Sequence, residues 1–118
     1  MRITDFFALV YSPAALAGNA ARVNDLNNFS LSRPFRILWL ASSSTGTYTF
    51  NFQIAGTQTY FFQAQVNSSA IFPSNRLKPF ELPAPIDLKP GDQLLISTTD
   101  TSGSSNTIQL TFGGGFLG

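Results

Sequence analysis

The stretch from Gly46 to Val66 constrains the fold more than any other part of the chain, because its apolar and polar residues alternate. Successive side chains of a β-strand point to opposite faces, so a period of two predicts strands with one buried face. Two such runs flank the turn-like residues 55–58 and predict an antiparallel hairpin. Its aromatic face must be covered by a second sheet, which predicts an all-β protein with an antiparallel β-sandwich. The predicted core-facing positions are Tyr48, Phe50, Phe52 and Ile54 in the first run and Tyr60, Phe62, Ala64 and Val66 in the second.

Further strand-like runs lie on both sides of this hairpin. Residues 35–40 are apolar at nearly every position, as expected for a central strand that is covered on both faces. Residues 93–98 and 106–112 are predicted to be two more strands. The prolines between residues 67 and 92 argue against a regular strand there, apart from a short edge strand at 80–82. With about seven or eight short strands, the chain is expected to form a jelly-roll-like sandwich.

The two ends of the chain follow this pattern less clearly. Residues 1–28 are predicted to be an extended N-terminal arm, and residues 29–118 the β-sandwich domain. An alternative that the sequence leaves open makes residues 6–11 the first strand of the sandwich. Residues 113–118 are rich in glycine and are expected to be a flexible tether that carries two apolar side chains.

Low charge is the compositional feature that bears most directly on function. Only 11% of the 118 residues are charged, against about 25% in ordinary domains, while 14% are aromatic. Such a surface is prone to apolar patches, and apolar patches mark interfaces. We therefore expect a subunit surrounded by neighbours, although a small monomer with a neutral Ser, Thr, Asn and Gln surface is the alternative. The predicted contact residues in the arm and the tail are Phe6, Phe7, Leu9, Val10, Tyr11, Phe116 and Leu117.

The residue types present exclude several kinds of chemistry. Histidine and cysteine are absent, so a Ser-His-Asp triad, a Cys-His dyad, a disulfide and a zinc site built on imidazole or thiolate are impossible. Most of the six acidic residues sit at turns or beside prolines, where backbone hydrogen bonding explains them better than a catalytic pair does. Residues 100–106 faintly resemble a calcium loop, but they lack a second acid and a closing Glu, so a hairpin loop is the better interpretation. We expect no enzyme activity, no cofactor and no metal.

Nucleic acid and membrane are also unexpected as partners. The net charge is +1, and the basic residues are scattered rather than clustered into a phosphate-binding stripe. No run of about eighteen apolar residues exists that could span a membrane. Asp5 and Pro13 interrupt the N-terminal apolar run, so we expect this segment to belong to the folded protein rather than to a cleaved leader.

A carbohydrate-binding module is the alternative function, because such modules need exposed planar rings. The candidate rings are those of Tyr11, Trp39, Tyr48 and Tyr60. Tyr48 and Tyr60 have the parity of core residues, and Trp39 lies in a run that is apolar on both faces. Core packing is therefore the better explanation for each of them.

The second half of the chain resembles one class of proteins. A proline-rich connection at 80–88 leads into Lys89-Pro90-Gly91-Asp92, and a strand, a Ser/Thr/Gly loop and the closing strand Asn106–Gly113 follow. This order is similar to the closing strands of jelly-roll decoration, cement or collar proteins of tailed bacteriophages. The resemblance covers about half of the chain and implies no catalytic residues. It implies a virion location, self-association into a homo-oligomer, and binding to a major capsid, neck or other shell protein.

Overall fold

The structure, a computed structural model, describes residues 2–26, 31–55, 65–71 and 79–118. Within this part of the chain the elements are strands, apart from one helical turn. In chain order they are β1 (Ile3–Tyr11), β2 (Ala21–Leu26), β3 (Phe35–Ser44), β4 (Tyr48–Ile54), β5 (Val66–Asn67), α1 (Ser68–Ile71), β6 (Phe80–Leu88), β7 (Leu94–Asp100) and β8 (Ile108–Leu117).

The strands form two antiparallel four-stranded sheets that pack face to face. The first sheet has the order β1-β8-β3-β6 and the second has the order β2-β7-β4-β5. The antiparallel pairs are nested, since β1 pairs with β8, β2 with β7, β3 with β6 and β4 with β5. This nesting is the arrangement of a jelly roll. The predicted all-β antiparallel sandwich is therefore confirmed.

The core lies between the sheets and is built from the predicted alternation in β4. Tyr48, Phe50 and Phe52 are buried, and the Phe52 ring meets the Phe112 ring of the opposite sheet edge to face, with 5.2 Å between centroids. Val66 pairs with Phe50 across the second sheet. The rest of the second predicted run, at 56–64, lies outside the described residues.

Strand β3 is central, as predicted, but it is fully covered on one face only. Phe35, Ile37 and Leu40 are completely buried, while Arg36, Leu38 and Trp39 on the rest of the strand are partly exposed. The spacing of the buried residues changes because the register with both neighbouring strands shifts between Ile37 and Trp39. The expectation of cover on both faces was wrong, since no third layer packs on the first sheet among the described residues.

The glycine-rich tail is not a tether, which corrects the sequence prediction. Residues 113–117 continue β8, which pairs with β1 on one side and β3 on the other. The glycines allow these neighbours to come close. A methyl group on Gly113 would overlap the Trp39 ring, and one on Gly114 would overlap the carbonyl oxygen of Arg36. Glycine is required here because the space that a side chain would fill is occupied by the neighbouring strand.

Strand β6 is also longer than predicted. It runs for nine residues through Pro83 and Pro85, as an edge strand that pairs with β3 alone. The prolines lie between the paired residues Glu81 and Ile86, where the register with β3 shifts. Proline is tolerated at an irregularity in an edge strand because no ladder hydrogen bond is needed from its nitrogen.

The N-terminal residues form strands of the sandwich, as in the alternative prediction for residues 6–11, and not an extended arm. β1 pairs with β8 along its length, and β2 pairs with β7 in the other sheet. The predicted boundary at residue 28 therefore does not separate an arm from a sandwich. The physical reason is that β8 extends through residues 113–117 and offers β1 a complete strand to pair with.

We predict that Gly114→Ala strongly destabilises the fold. The added methyl group meets backbone atoms of β3, which cannot rotate away, so we expect a loss of about 3 kcal/mol or more in the free energy of unfolding. Chemical denaturation measures this loss. Gly91→Ala is the matched control, because Gly91 has open space around it and a φ of 87°, so only conformational strain of about 1 kcal/mol is expected. Equal losses in the two variants would contradict the close approach at β8.

We predict that Thr98→Val raises stability. Thr98 is completely buried between the sheets, and its hydroxyl is one of two buried side-chain polar atoms without a partner among the described residues. Valine keeps the shape and removes the unpaired hydroxyl, so the free energy of unfolding should rise by about 1 kcal/mol. Thr99→Val is the control, because the Thr99 hydroxyl donates to Gln65 Oε1 at 2.9 Å and its loss should be neutral or destabilising. A drop in stability for Thr98→Val would show that its hydroxyl has a partner.

Candidate functional site

The seven predicted contact residues separate into two groups in the structure. Phe6, Phe7 and Val10 of β1 are exposed, with 82%, 53% and 47% of their surface open to solvent. The other four are not available in the same way: Leu9, Tyr11 and Leu117 are buried in the protein, and Phe116 is partly buried. The candidate surface is therefore smaller than the sequence predicted, and it lies on β1 rather than on both ends of the chain.

The pairing of β1 explains this division for Phe6 and Val10 against Leu9 and Tyr11, whereas Phe7 is exposed although it lies on the same face as Leu9. Leu9 lies opposite Phe112, whose side chain is in the core, whereas Val10 lies opposite Thr111 on the outer face of the sheet. Residues directly opposite each other in an antiparallel pair share a face. The sequence held this signal, because Leu9 and Tyr11 are separated by one residue, as core positions of a strand would be. Treating the whole run as one apolar contact segment overlooked it.

A fourth exposed apolar residue lies on β2. Val23 of β2 is 69% exposed, and sequence reasoning did not single it out. β1 and β2 are the edge strands of their sheets, and a hydrogen bond of 2.5 Å from the Tyr11 hydroxyl to the Asp25 carboxylate joins them. Burial and this carboxylate raise the pKa of Tyr11. We call Phe6, Phe7, Val10 and Val23 the apolar edge. In the described part of the chain these four are the only large apolar residues that are strongly exposed.

Arg33 fixes the N-terminal half of β1 against the sandwich. Its guanidinium donates to Asp5 Oδ2 at 2.7 Å and to Thr4 Oγ1 at 2.8 Å. The same group lies over the Phe116 ring, 5.2 Å from its centroid. Phe116 in turn packs against Phe7, with 5.6 Å between the ring centroids. The exposed rings of β1 are thus presented by a strand that is held in place and not by a loose arm.

At one end of the sandwich, the carboxylate of Asp100 accepts hydrogen bonds from residues of neighbouring loops. Although it is almost fully buried, it accepts hydrogen bonds from the backbone N–H groups of Asn19, Ser102 and Gly103 at 2.8, 3.2 and 2.9 Å. It also accepts from the Ser102 hydroxyl at 2.6 Å and from the Asn106 amide at 2.9 Å. These donors, the Ser102 hydroxyl first, hold the pKa of Asp100 well below its usual range.

Asn106 extends this network to a third loop. Its amide nitrogen donates to the Thr47 carbonyl at 3.0 Å, and its amide oxygen accepts from the Gly46 N–H at 3.1 Å. Its backbone exchanges two hydrogen bonds with Leu16. The loops after β1, β3 and β7 are therefore tied together by two side chains.

The hydrogen bonds of Asp100 show how the loop at 100–106 is held. Both oxygens of Asp100 are already occupied by protein donors, so hydrogen bonds within the protein close the loop. The loop joins β7 of the second sheet to β8 of the first, so it is not the hairpin loop that the sequence predicted. In the part of the chain that the structure covers, no group of three or more acidic side chains is placed to hold a metal ion.

The rings considered for carbohydrate binding are mostly in the core. Tyr11 and Tyr48 are buried; the Tyr48 hydroxyl is hydrogen-bonded to the Ser42 hydroxyl, and burial raises the pKa of Tyr48 to about 12. Tyr60 lies outside the described residues. Trp39 is partly exposed, with its ring close against the backbone of Gly113 on the outer face of the first sheet. Of the three candidate rings that the structure describes, that of Trp39 is therefore accessible.

No protein-family model, curated protein or solved structure matches this chain. Among the described residues, no helix is long and apolar enough to cross a membrane.

We predict that Asp100→Asn destabilises the protein at neutral pH and has less effect in acid. The pKa of Asp100 is lowered on folding, so the ionised carboxylate stabilises the folded state fully above the unfolded pKa of about 4. This contribution disappears as the pH falls through the folded pKa. Urea denaturation of the two proteins at about pH 7 and about pH 3 should show a gap that narrows in acid.

Asp87→Asn is the matched control for this variant. Asp87 is exposed and pairs with Arg36 on the protein surface at 2.7 Å, and a surface ion pair contributes little to stability. A gap for Asp100→Asn that is no larger than the gap for Asp87→Asn, or one that does not change with pH, would contradict the role of Asp100 in holding the loops.

Proposed function

We propose that this jelly-roll domain is a structural subunit of a virion and not an enzyme. In this role it associates with further copies of itself and binds a major capsid or neck protein, as a decoration or cement protein does. The observation that carries the proposal is the apolar edge, in which four exposed apolar side chains lie on two neighbouring edge strands.

The distribution of the exposed apolar residues supports an interface. Single exposed apolar residues are normal on a protein surface and need no explanation. Phe6 and Phe7 are different, because adjacent phenylalanines with 82% and 53% exposure place one exposed ring on each face of the edge strand β1. Large apolar side chains that are exposed together on one edge strand are characteristic of surfaces that a partner covers.

Composition and fold support the same role. With 11% charged residues, the chain has few groups with which to keep an isolated molecule in solution. Jelly rolls are common in viral capsid proteins, where edges and faces of the sandwich contact neighbouring subunits. This fold also occurs in proteins of other functions, so the apolar edge remains the more specific observation.

Trp39 is the observation that favours the alternative, an attachment module that binds carbohydrate. Its partly exposed ring lies on the outer face of the first sheet, beside the exposed ion pair of Arg36 with Asp87. A planar ring next to charged hydrogen-bonding groups is suited to a sugar. A glycan array would test this function: binding that is lost in Trp39→Ala and kept in Phe6→Lys would favour it over the virion role.

The virion role predicts that the protein is a component of particles. In a culture that produces it, the chain should band with nuclease-resistant particles in a density gradient, and antibodies against it should label them. Phe6→Lys should reduce its amount on particles, because a charge in the apolar edge is costly to bury.

Glu81→Lys is the control, since Glu81 is exposed on β6 at the opposite edge of the first sheet. This variant should remain on the particles. If the protein is found only outside particles, or if both variants stay bound equally, the proposed function is wrong.

A further inference from the structure

Among the residues that the structure describes, three of the four sheet edges carry features that discourage pairing with another strand. Prolines, charges, irregular register and shortness all prevent an edge strand from accepting a further strand. β5 has two residues, and β2 has a register shift between Arg22 and Asp25. In β6 the protecting residues are Glu81, Pro83, Pro85 and Asp87.

The fourth edge, β1, has none of these features over most of its length. From Phe6 to Tyr11 it contains no charge and no proline, and its register with β8 is regular. Its one irregularity lies between Ile3 and Asp5, and Asp5 is already paired with Arg33 at 2.7 Å. Among the described residues β1 pairs with β8 alone, so its other side is an open, regular and apolar edge.

We propose that β1 pairs antiparallel with β1 of a second copy of this chain, with the two-fold axis at Phe7, so that the two first sheets become one eight-stranded sheet. The inference rests on the self-association in the proposed function and specifies its geometry. A two-fold contact of this kind is closed, because each copy uses the same strand.

The sizes of the side chains on β1 fit this register. On the outer face, where Ala8 lies opposite Gly113 in its own sheet, Phe6 of one copy lies opposite Ala8 of the other. A large ring therefore meets a small residue twice, once on each side of the axis. On the other face Phe7 meets Phe7, and paired aromatic residues are favourable cross-strand neighbours. The charged residue within the paired length is Asp5, which lies opposite Leu9 of the other copy and whose carboxylate is already paired with Arg33 of its own chain at 2.7 Å.

The exposed aromatic side chains of β1 supply part of the area that a stable dimer covers. At about 200 Å² for a fully exposed phenylalanine, the open parts of Phe6 and Phe7 amount to roughly 270 Å² per copy. Two copies therefore cover roughly 540 Å² of aromatic surface alone. The rest of the roughly 1,200 Å² at which specific interfaces begin must come from the backbone of β1, from Val10 and from the flanking residues. Pairing also satisfies the open backbone groups of β1, which water alone otherwise solvates.

The absence of cysteine makes a direct test possible, because one introduced thiol is then the only one in the chain. Phe7→Cys should form a disulfide-linked dimer on mild oxidation, since residues on the axis face each other with Cα atoms about 4.5–5.5 Å apart. Val10→Cys is the matched control, with a similar exposure of the original side chain. In this register the Cα atoms of the two copies of residue 10 are six residues apart along the strand, or about 20 Å. The Val10→Cys variant should therefore form no disulfide.

A second experiment does not depend on the Phe7 variant, which loses its contact with Phe116 and could fold poorly. Phe6→Cys mixed with Ala8→Cys should give a mixed disulfide, while each variant alone should give much less. Sedimentation of the unaltered chain should show a dimer, and Phe6→Lys should convert it to a monomer.

The outcomes separate this inference from the proposed function. A dimer that is linked through residue 10, or through neither residue 7 nor the mixed pair, overturns the β1 pairing but leaves self-association intact. A monomer that still bands with particles also overturns the pairing, while the virion role survives. A monomer that is absent from particles overturns both.

Discussion

Close contact between strands at Gly113–Gly115 is the constraint on which the first sheet depends. β8 pairs with both β1 and β3, and a side chain at these positions would overlap atoms of one neighbour or the other. Because the three glycines leave this space open, the Trp39 ring can lie against the sheet and β1 can pair along its length. The position of the apolar edge therefore follows from residues at the opposite end of the sequence.

The buried polar network and the apolar edge have separate roles in this molecule. Asp100 and Asn106 satisfy the backbone groups of three loops, which fixes one end of the sandwich without any partner. The apolar edge is not covered by its own chain, because Phe6 and Val23 are strongly exposed. The polar network accounts for the fold of a single copy, and the apolar edge is the part of the surface that a single copy leaves uncovered.

The parts of the fold that could be predicted from the sequence are those in which the residue type itself indicates whether a side chain is buried or exposed. The alternation in β4 identified its buried face because Phe and Tyr are strongly driven into a core. The glycines of β8 and the prolines of β6 led to wrong predictions, because both residue types are rare in strands. They are accepted here because of the way in which the neighbouring strands are placed. The exposed apolar residues of β1 lie within the predicted contact segment, but which residues of that segment are exposed depends on the parity of Leu9 and Val10, and this parity is known only from the pairing with β8. The network at Asp100 could not be predicted, because its donors come from residues far apart in the chain.

The nested pairing of the strands has a consequence for how the molecule is made. β1 leaves the ribosome well before β8 and must wait for it before its own ladder can form. Contacts between such distant segments close slowly, because the intervening chain must be ordered first. Throughout that interval β1 is an apolar ribbon that any β8 can accept, including one from another nascent chain. Exchange of β1 between copies is therefore the characteristic way in which this topology assembles incorrectly.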